Sequence, residues 1–375
     1  MPSSDVEEKS PTAFVYVSNA VEGDISSYRL YHDGRLEAGQ TAKAADMAMP
    51  MAVTPDGARL YLATRSEPFA ILSFAIDRTS GALTKVASCP INDSFSFLSL
   101  DRDARYLLAA SYVGSCVRVF AIDESRNVDP SPVESQFDIP QAHAIRVDNS
   151  NTFAYVPSLG ADAVYQYRFD ALSGRLHPLD PPRVCVPAKY GPRHFVFSAD
   201  NQFIYVLNEM QASVTAFRRD AVTGLLDMQA SVSGLPKDCG LVLGAEPSIT
   251  PKPSSALSEE AEQNWIVSHA NVRAADIHAT PDNRFIFTSE RASRTLASFQ
   301  RDDATGKLTY RANVSVDDRP RSFAIDPSGR YLIVAAEVAA TVGVYSIGTD
   351  DGTLTCLGTY PAGKGANWVE IVRAR

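Results

Sequence analysis

Arginines and histidines recur in this chain at one kind of place, just ahead of a short apolar run. His143 precedes Ala144-Ile145-Arg146-Val147, Arg193 and His194 precede Phe195-Val196-Phe197, Arg273 precedes Ala274-Ala275-Asp276-Ile277, and Arg321 precedes Ser322-Phe323-Ala324-Ile325. A second set stands just beyond later runs: Asn208-Glu209, Glu290-Arg291 and Glu337. Guanidinium groups recognise planar anions through paired hydrogen bonds. An imidazole or a carboxylate beside them can take a proton from water. A buried, unpaired charge costs several kcal/mol, so such a cluster is either mutually paired or meant for a ligand. The plain alternatives are Arg193–Glu209 and Arg291–Glu337 as structural salt bridges, and His143 as a hydrogen-bonded channel histidine. Convergence favours function, because the charged positions recur while their identities change.

What positions them is a repeat. Seven aromatic residues, Tyr28, Phe74, Phe120, Tyr167, Phe217, Phe299 and Tyr345, each stand three residues after an aliphatic one, at intervals of 46, 46, 47, 50, 82 and 46 residues. A period of this length signals a repeat architecture. Each unit repeats an apolar segment, a tight polar turn such as Pro55-Asp56-Gly57 or Pro281-Asp282-Asn283, a β-rich run, and the aromatic-bearing strand. A second turn follows, Asp-x-x-Ser/Thr-Gly-x-Leu, as in Asp77 to Leu83 and Asp220 to Leu226; Asn127 is read as its glycine position in the third unit. Four short strands per unit make a propeller blade. The expected fold is therefore an all-β, seven-bladed propeller of four-stranded antiparallel blades.

The first unit, from Ala13, lacks a preceding apolar strand, and Trp368-Val369-Glu370-Ile371-Val372 follows the seventh. This C-terminal strand is expected to pair into the first blade and close the ring, removing the open sheet edges. One domain over residues 13–375 results, with residues 1–12 as a disordered tail. The long interval holds an insertion at about 235–271, rich in proline and glutamate, that reads equally as a lid or as an inert loop.

A net charge of −9 disfavours a nucleic-acid partner, and 45% hydrophobic content suits a large core. No apolar run reaches the ~18 residues of a membrane span. The polar, acidic Met1 to Ser10 does not read as a targeting peptide, and none is expected. Five cysteines without Cys-x-x-Cys spacing read as free thiols, which makes the cytoplasm the expected compartment. Gly358 to Lys364 has the phosphate-loop spacing, but Gly365 replaces the Ser/Thr and no helix follows. The six histidines show no metal-ligand spacing. No metal and no cofactor are expected, and a closed ring needs no partner, so a monomer is.

Gly191-Pro192-Arg193-His194-Phe195-Val196-Phe197, Val206-Leu207-Asn208-Glu209, Arg273-Ala274-Ala275-Asp276-Ile277-His278 and Pro320-Arg321-Ser322-Phe323 carry a resemblance to a known family. The chain resembles the seven-bladed β-propeller lactonases, which include bacterial 6-phosphogluconolactonases, and is similar to the fungal 3-carboxy-cis,cis-muconate lactonising enzyme. The resemblance runs from about Phe14 to Val372 and omits the insertion. It implies a catalytic set of His143, Arg193, Glu209 and Arg291, and a small anionic sugar lactone as substrate. His143 is then the expected base, Glu209 its orienter or the alternate base, and Arg193 with Arg291 the anion clamp. Arg273 and Arg321 are expected to hold a distal anion, with His194 and Glu337 also lining the substrate. An aldaric lactone, reversible muconate lactonisation and a non-catalytic binding platform remain alternatives.

Overall fold

The computed structural model describes residues 10–245 and 271–375. Its strands, numbered β1 to β28 along the chain, form seven four-stranded antiparallel sheets. The inner strands are β4 (Ala48–Val53), β8 (Phe97–Leu100), β12 (Arg146–Val147), β16 (Pro192–Phe197), β20 (Ala274–Ala279), β24 (Pro320–Ile325) and β28 (Ala366–Arg373). Each hydrogen-bonds to a second strand: β5 (Arg59–Thr64), β9 (Tyr106–Ser111), β13 (Phe153–Ser158), β17 (Phe203–Asn208), β21 (Phe285–Glu290), β25 (Tyr331–Ala336) and, for β28, β1 (Ala13–Asn19). The ring closes as expected, with β28 antiparallel to β1 from Ala13↔Arg373 to Asn19↔Ala366. Thr12 already joins this sheet, donating its N–H to Leu30 O (2.7 Å) and accepting from Ala374 N (3.0 Å).

The seven repeating aromatics fall on the third strands and are buried, between 0% and 5% exposed. Each sits at a β-bulge against its outer strand, as in Phe217↔Met228 and Phe299↔Tyr310. Similar register shifts mark Tyr28, Phe74, Phe120, Tyr167 and Tyr345. A bulge bends its strand and deepens the local twist, so the aromatic fills the space where each blade turns.

Blade-to-blade joints use a second aromatic. Tyr16, Tyr61, Tyr155 and Tyr205 donate their hydroxyls to the carbonyls of Gly81, Arg126, Gly224 and Gly306, each in the outer turn of the next blade. Tyr106 and Tyr331 reach Leu172 O and His32 O in the same way. This explains the turn glycine. Gly224 has φ +77°, and a Cβ there would lie 2.2 Å from Phe153 of the preceding blade. The third unit departs from the reading above: Arg126, not Asn127, takes the left-handed conformation (φ 64°). Its turn is one residue shorter, closed by Arg126 N to Asp123 O (2.8 Å).

Leu235 to Ala245, the described start of the insertion, lies over blades five and six. Gly244 N bonds to Met210 O (2.8 Å), and Val242 O accepts from Val272 N (3.0 Å). The acidic, helical-looking stretch of the insertion falls outside the described residues. Gly358 to Lys364 runs from within β27 (Leu354–Pro361) into its connection to β28, so a strand and not a helix follows it. Among the described residues no helix is long and apolar enough to cross a membrane.

Candidate active site

Five inner strands open with a register irregularity at the same end. The shift leaves Arg193 between Pro192↔Asn208 and His194↔Leu207, and Arg321 between Pro320↔Ala336 and Ser322↔Ala335. Asn367, Met49-Pro50 and Ala275-Asp276 occupy the equivalent interruptions in β28, β4 and β20. Bulges re-aim side chains beside active sites, and here they turn Arg193 and Arg321 toward the mouth of the channel. This register corrects the sequence alignment of the blades: Ala275 is the partner of Arg193, and Arg273 stands two residues earlier. Arg273 instead occupies the outer step, where its O accepts from Arg291 N (3.2 Å), as Gly191 O accepts from Glu209 N (2.8 Å).

Glu209 is the centre of the cluster. Its Oε2 lies 2.9 Å from Arg193 Nε and its Oε1 2.8 Å from Arg291 Nη2, with both Glu209 and Arg193 almost wholly buried. Burial raises the Glu209 carboxyl, but Arg291, Arg193 and the more distant Arg273 and Arg321 outweigh it and hold the group below the usual range. Glu209 is therefore an anion bracketed by two cations. The alternative pairing of Arg291 with Glu337 is not formed. Glu337 faces Arg319 (3.2 Å) and Arg321 (3.9 Å) instead. Arg291 Nε donates to Arg273 O (2.9 Å), and Arg193 Nη1 donates to Ala275 O. Among the described residues, Arg193 Nη2 and Arg291 Nη1 carry no such bond. Arg273 Nη1 donates to Ala245 O and Val272 O (both 2.8 Å).

His194 joins this cluster to the channel. Its Nε2 lies 3.1 Å from Arg193 Nη1 and its Nδ1 2.8 Å from Asp276 Oδ1. A guanidinium only donates, so Nε2 accepts and Nδ1 carries the proton toward Asp276. Asp276 also meets His278 Nε2 (3.4 Å) and accepts from the N–H groups of Ile277 (3.0 Å) and Phe323 (3.3 Å). His143 packs its ring against His194 (5.1 Å between centroids) and Tyr112 (5.6 Å). Its Nδ1 is buried with no hydrogen-bond partner.

Burial, followed by the Arg193 charge, pushes His194 down to about 3 and His143 well below the ordinary imidazole value. Both rings stay neutral in the folded protein. The unfolded chain binds their protons near pH 6.5, so stability is lost as pH falls below that value. The slope is up to about 1.4 kcal/mol per pH unit for each histidine. Urea unfolding at pH 7.5, 6.5 and 5.5 is expected to show this loss; equal stabilities across the series contradict neutral burial.

All four residues of the expected catalytic set thus meet at one mouth, contributed by blades four, five and six. His194 lies with them, but both its nitrogens are engaged by protein groups. Arg321 and Glu337 face one another on blade seven. The sequence reading missed Asp276, although an ionisable residue inside an inner strand was the available signal. It also missed a lower layer two residues further along the inner strands. There Arg146 stacks over Phe97 (5.0 Å), and Glu370 accepts from Trp368 Nε1 (2.9 Å). Among the described residues, no group of three or more His, Cys, Asp or Glu is placed to hold a metal ion.

Comparisons with known proteins bear on this geometry. A family model described as "Lactonase, 7-bladed beta-propeller" matches residues 10–371. A 6-phosphogluconolactonase of Serratia proteamaculans is 30% identical over 358 residues, covering 96% of this chain and 98% of that protein. One from Pectobacterium carotovorum is 29% identical over the same share of each chain. Among solved structures, a periplasmic gluconolactonase of Pseudomonas aeruginosa superposes with a TM-score of 0.80 at 22% identity, covering 97% of this chain and 99% of that one. A Bacteroides fragilis protein gives 0.79 at 21% identity, over 99% and 100%. At these identities the structural likeness speaks for the fold.

Proposed function

The chain belongs to the seven-bladed β-propeller lactonase family, and from that premise we propose that it hydrolyses a 6-phosphorylated sugar δ-lactone to the open-chain acid. The observation that carries the reading is the pair of guanidinium nitrogens, Arg193 Nη2 and Arg291 Nη1, left over after Glu209 has fixed both arginines. They are two donors held by one buried anion, suited to an oxygen that gains charge. The naming of the bacterial relatives supports the phosphorylated substrate.

His143 takes a proton from water as the water oxygen adds to the lactone carbonyl. Its neutral, depressed imidazole is in the accepting form throughout the physiological range. The oxyanion of the tetrahedral intermediate lies against Arg193 and Arg291, an interaction of about 3 kcal/mol in comparable sites. Collapse breaks the ring C–O bond, the proton on His143 passes to the leaving alkoxide, and the free acid results. Glu209 has both oxygens taken by arginines, so it positions the clamp and leaves the base role to His143. Asp276 and His194 hold Arg193 from the other side. Arg321 binds the distal anion and Glu337 steadies it, while Arg273 adds its charge to the cluster.

No cofactor enters this scheme. Cys89, Cys116, Cys185, Cys239 and Cys356 are free thiols, which supports a cytoplasmic setting. The test is acid release, read with a pH indicator, from freshly made δ- and γ-lactones that include 6-phosphogluconate and aldarate forms, with spontaneous opening subtracted. The 6-phosphorylated δ-lactone is expected to give the highest kcat/KM. Preference for an aldaric lactone overturns the phosphorylated reading, and no acceleration of any lactone overturns the reaction.

A further inference from the structure

Arg65 belongs to the mouth, although neither its sequence setting nor the likeness to the family singles it out. It stands directly after β5, and its N–H donates to Met47 O (3.1 Å). The same register places Glu209 on Gly191, Arg291 on Arg273 and Glu337 on Arg319. Arg65 is thus the blade-two member of the ring that supplies Glu209 and Arg291.

Its charge is not neutralised there. Among the described residues its side chain makes one hydrogen bond, Nε to Ser94 Oγ (3.2 Å), and no carboxylate lies within salt-bridge distance of it. Burial and then the charge of Arg321 push its guanidinium down to about 10, while Tyr112 and Glu337 act the other way. Arg65 therefore shares one electrostatic neighbourhood with Arg321, which stands across blade one from it. Glu337, the acid of that sector, lies closer to Arg319 (3.2 Å) than to Arg321 (3.9 Å). Around Glu209, Arg193 and Arg291 share one carboxylate at contact distance; around Glu337, Arg319 and Arg321 do so, and Arg65 adds a further positive charge. The strand register sets Arg65 and Arg321 at the same end of blades two and seven, and like charges so placed favour an anion between them.

We propose that Arg65 and Arg321 form a subsite for a phosphate monoester dianion, the distal group of the lactone, with Ser94 fixing the Arg65 fork. This rests on the lactone reading above and adds the residue that selects phosphate over a neutral hydroxymethyl end. A dianion matches two forks, whereas the reacting carbonyl is served by Arg193 and Arg291.

The experiment measures kcat/KM for the wild type and Arg65→Met on 6-phosphoglucono-δ-lactone and on glucono-δ-lactone. The ratio of the two is expected to fall roughly 10- to 100-fold, the usual worth of a charge-assisted bond to phosphate, with the change mainly in KM. Arg65→Lys, which keeps the charge without the fork, is expected to retain part of the ratio. A ratio that moves by less than about threefold overturns the subsite. Inorganic phosphate separates the two proposals. If the wild type opens neither lactone, the lactone reading fails, while a thermal shift by phosphate that Arg65→Met abolishes still supports the subsite. Equal shifts in both proteins, or none in either, overturn it.

Discussion

Arg193→Met is expected to lower kcat on the phosphorylated δ-lactone by about 10²- to 10³-fold, the usual cost of one oxyanion donor. KM should change far less, because the group acts on charge that develops after binding. Arg193 is nearly fully buried, and its Nε pairs with Glu209 at 2.9 Å. Removing it leaves Glu209 with Arg291 alone, a loss on the order of 3–5 kcal/mol of stability for a broken buried pair. Arg193→Lys separates the two effects. It restores a cation for Glu209 and with it much of the melting temperature. With three donors on one nitrogen it cannot serve Glu209, Ala275 O, His194 and an oxyanion at once, so the rate should stay low. Stopped-flow acid release beside thermal melts reads both. Full recovery of kcat by lysine contradicts the assignment of Arg193 as a forked donor.

Truncation after Gly365 is expected to abolish cooperative folding. The lost strand β28 carries Trp368, Val369 and Val372, at most 8% exposed, and packs between β4 and β24. Burial of these three side chains contributes roughly 5–9 kcal/mol, comparable to the whole stability of about 5–15 kcal/mol typical of a domain. The ladder of β1 is also left open to other chains. Trp368 further packs on Phe97 (5.5 Å) and His194 (5.9 Å), so any truncated protein that folds should have a disturbed site. A soluble truncated chain with an unchanged melting temperature contradicts ring closure by this strand.

The ring was legible in the sequence because its chemistry is periodic. Each third strand needs one aromatic at its bulge, and each outer turn needs a residue that tolerates positive φ beneath the next ring, so these types return at every blade. The charged mouth was legible for a different reason: polar groups stood where apolar ones cost less. Register was not legible. Bulges insert residues at the head of five inner strands, so counting from the apolar run placed Arg273 beside Arg193 when Ala275 is its equivalent. Arg65, which follows β5 as Glu209 follows β17, was passed over as well. Pairing was equally hidden. Arg291 was read against Glu337, and only the fold shows it paired with Oε1 of Glu209 at 2.8 Å. Asp276 showed its charge in the sequence, but not that it fixes the His194 tautomer.

The central claim is that groups from separate blades act as one unit on a lactone carbonyl. Its most direct test is kcat/KM on the phosphorylated δ-lactone for His143→Ala and Glu209→Gln beside the wild type, with spontaneous opening subtracted. A fall of roughly 10²-fold or more in each is predicted, since one removes the base and the other unfastens the clamp. Wild-type values in both variants contradict it.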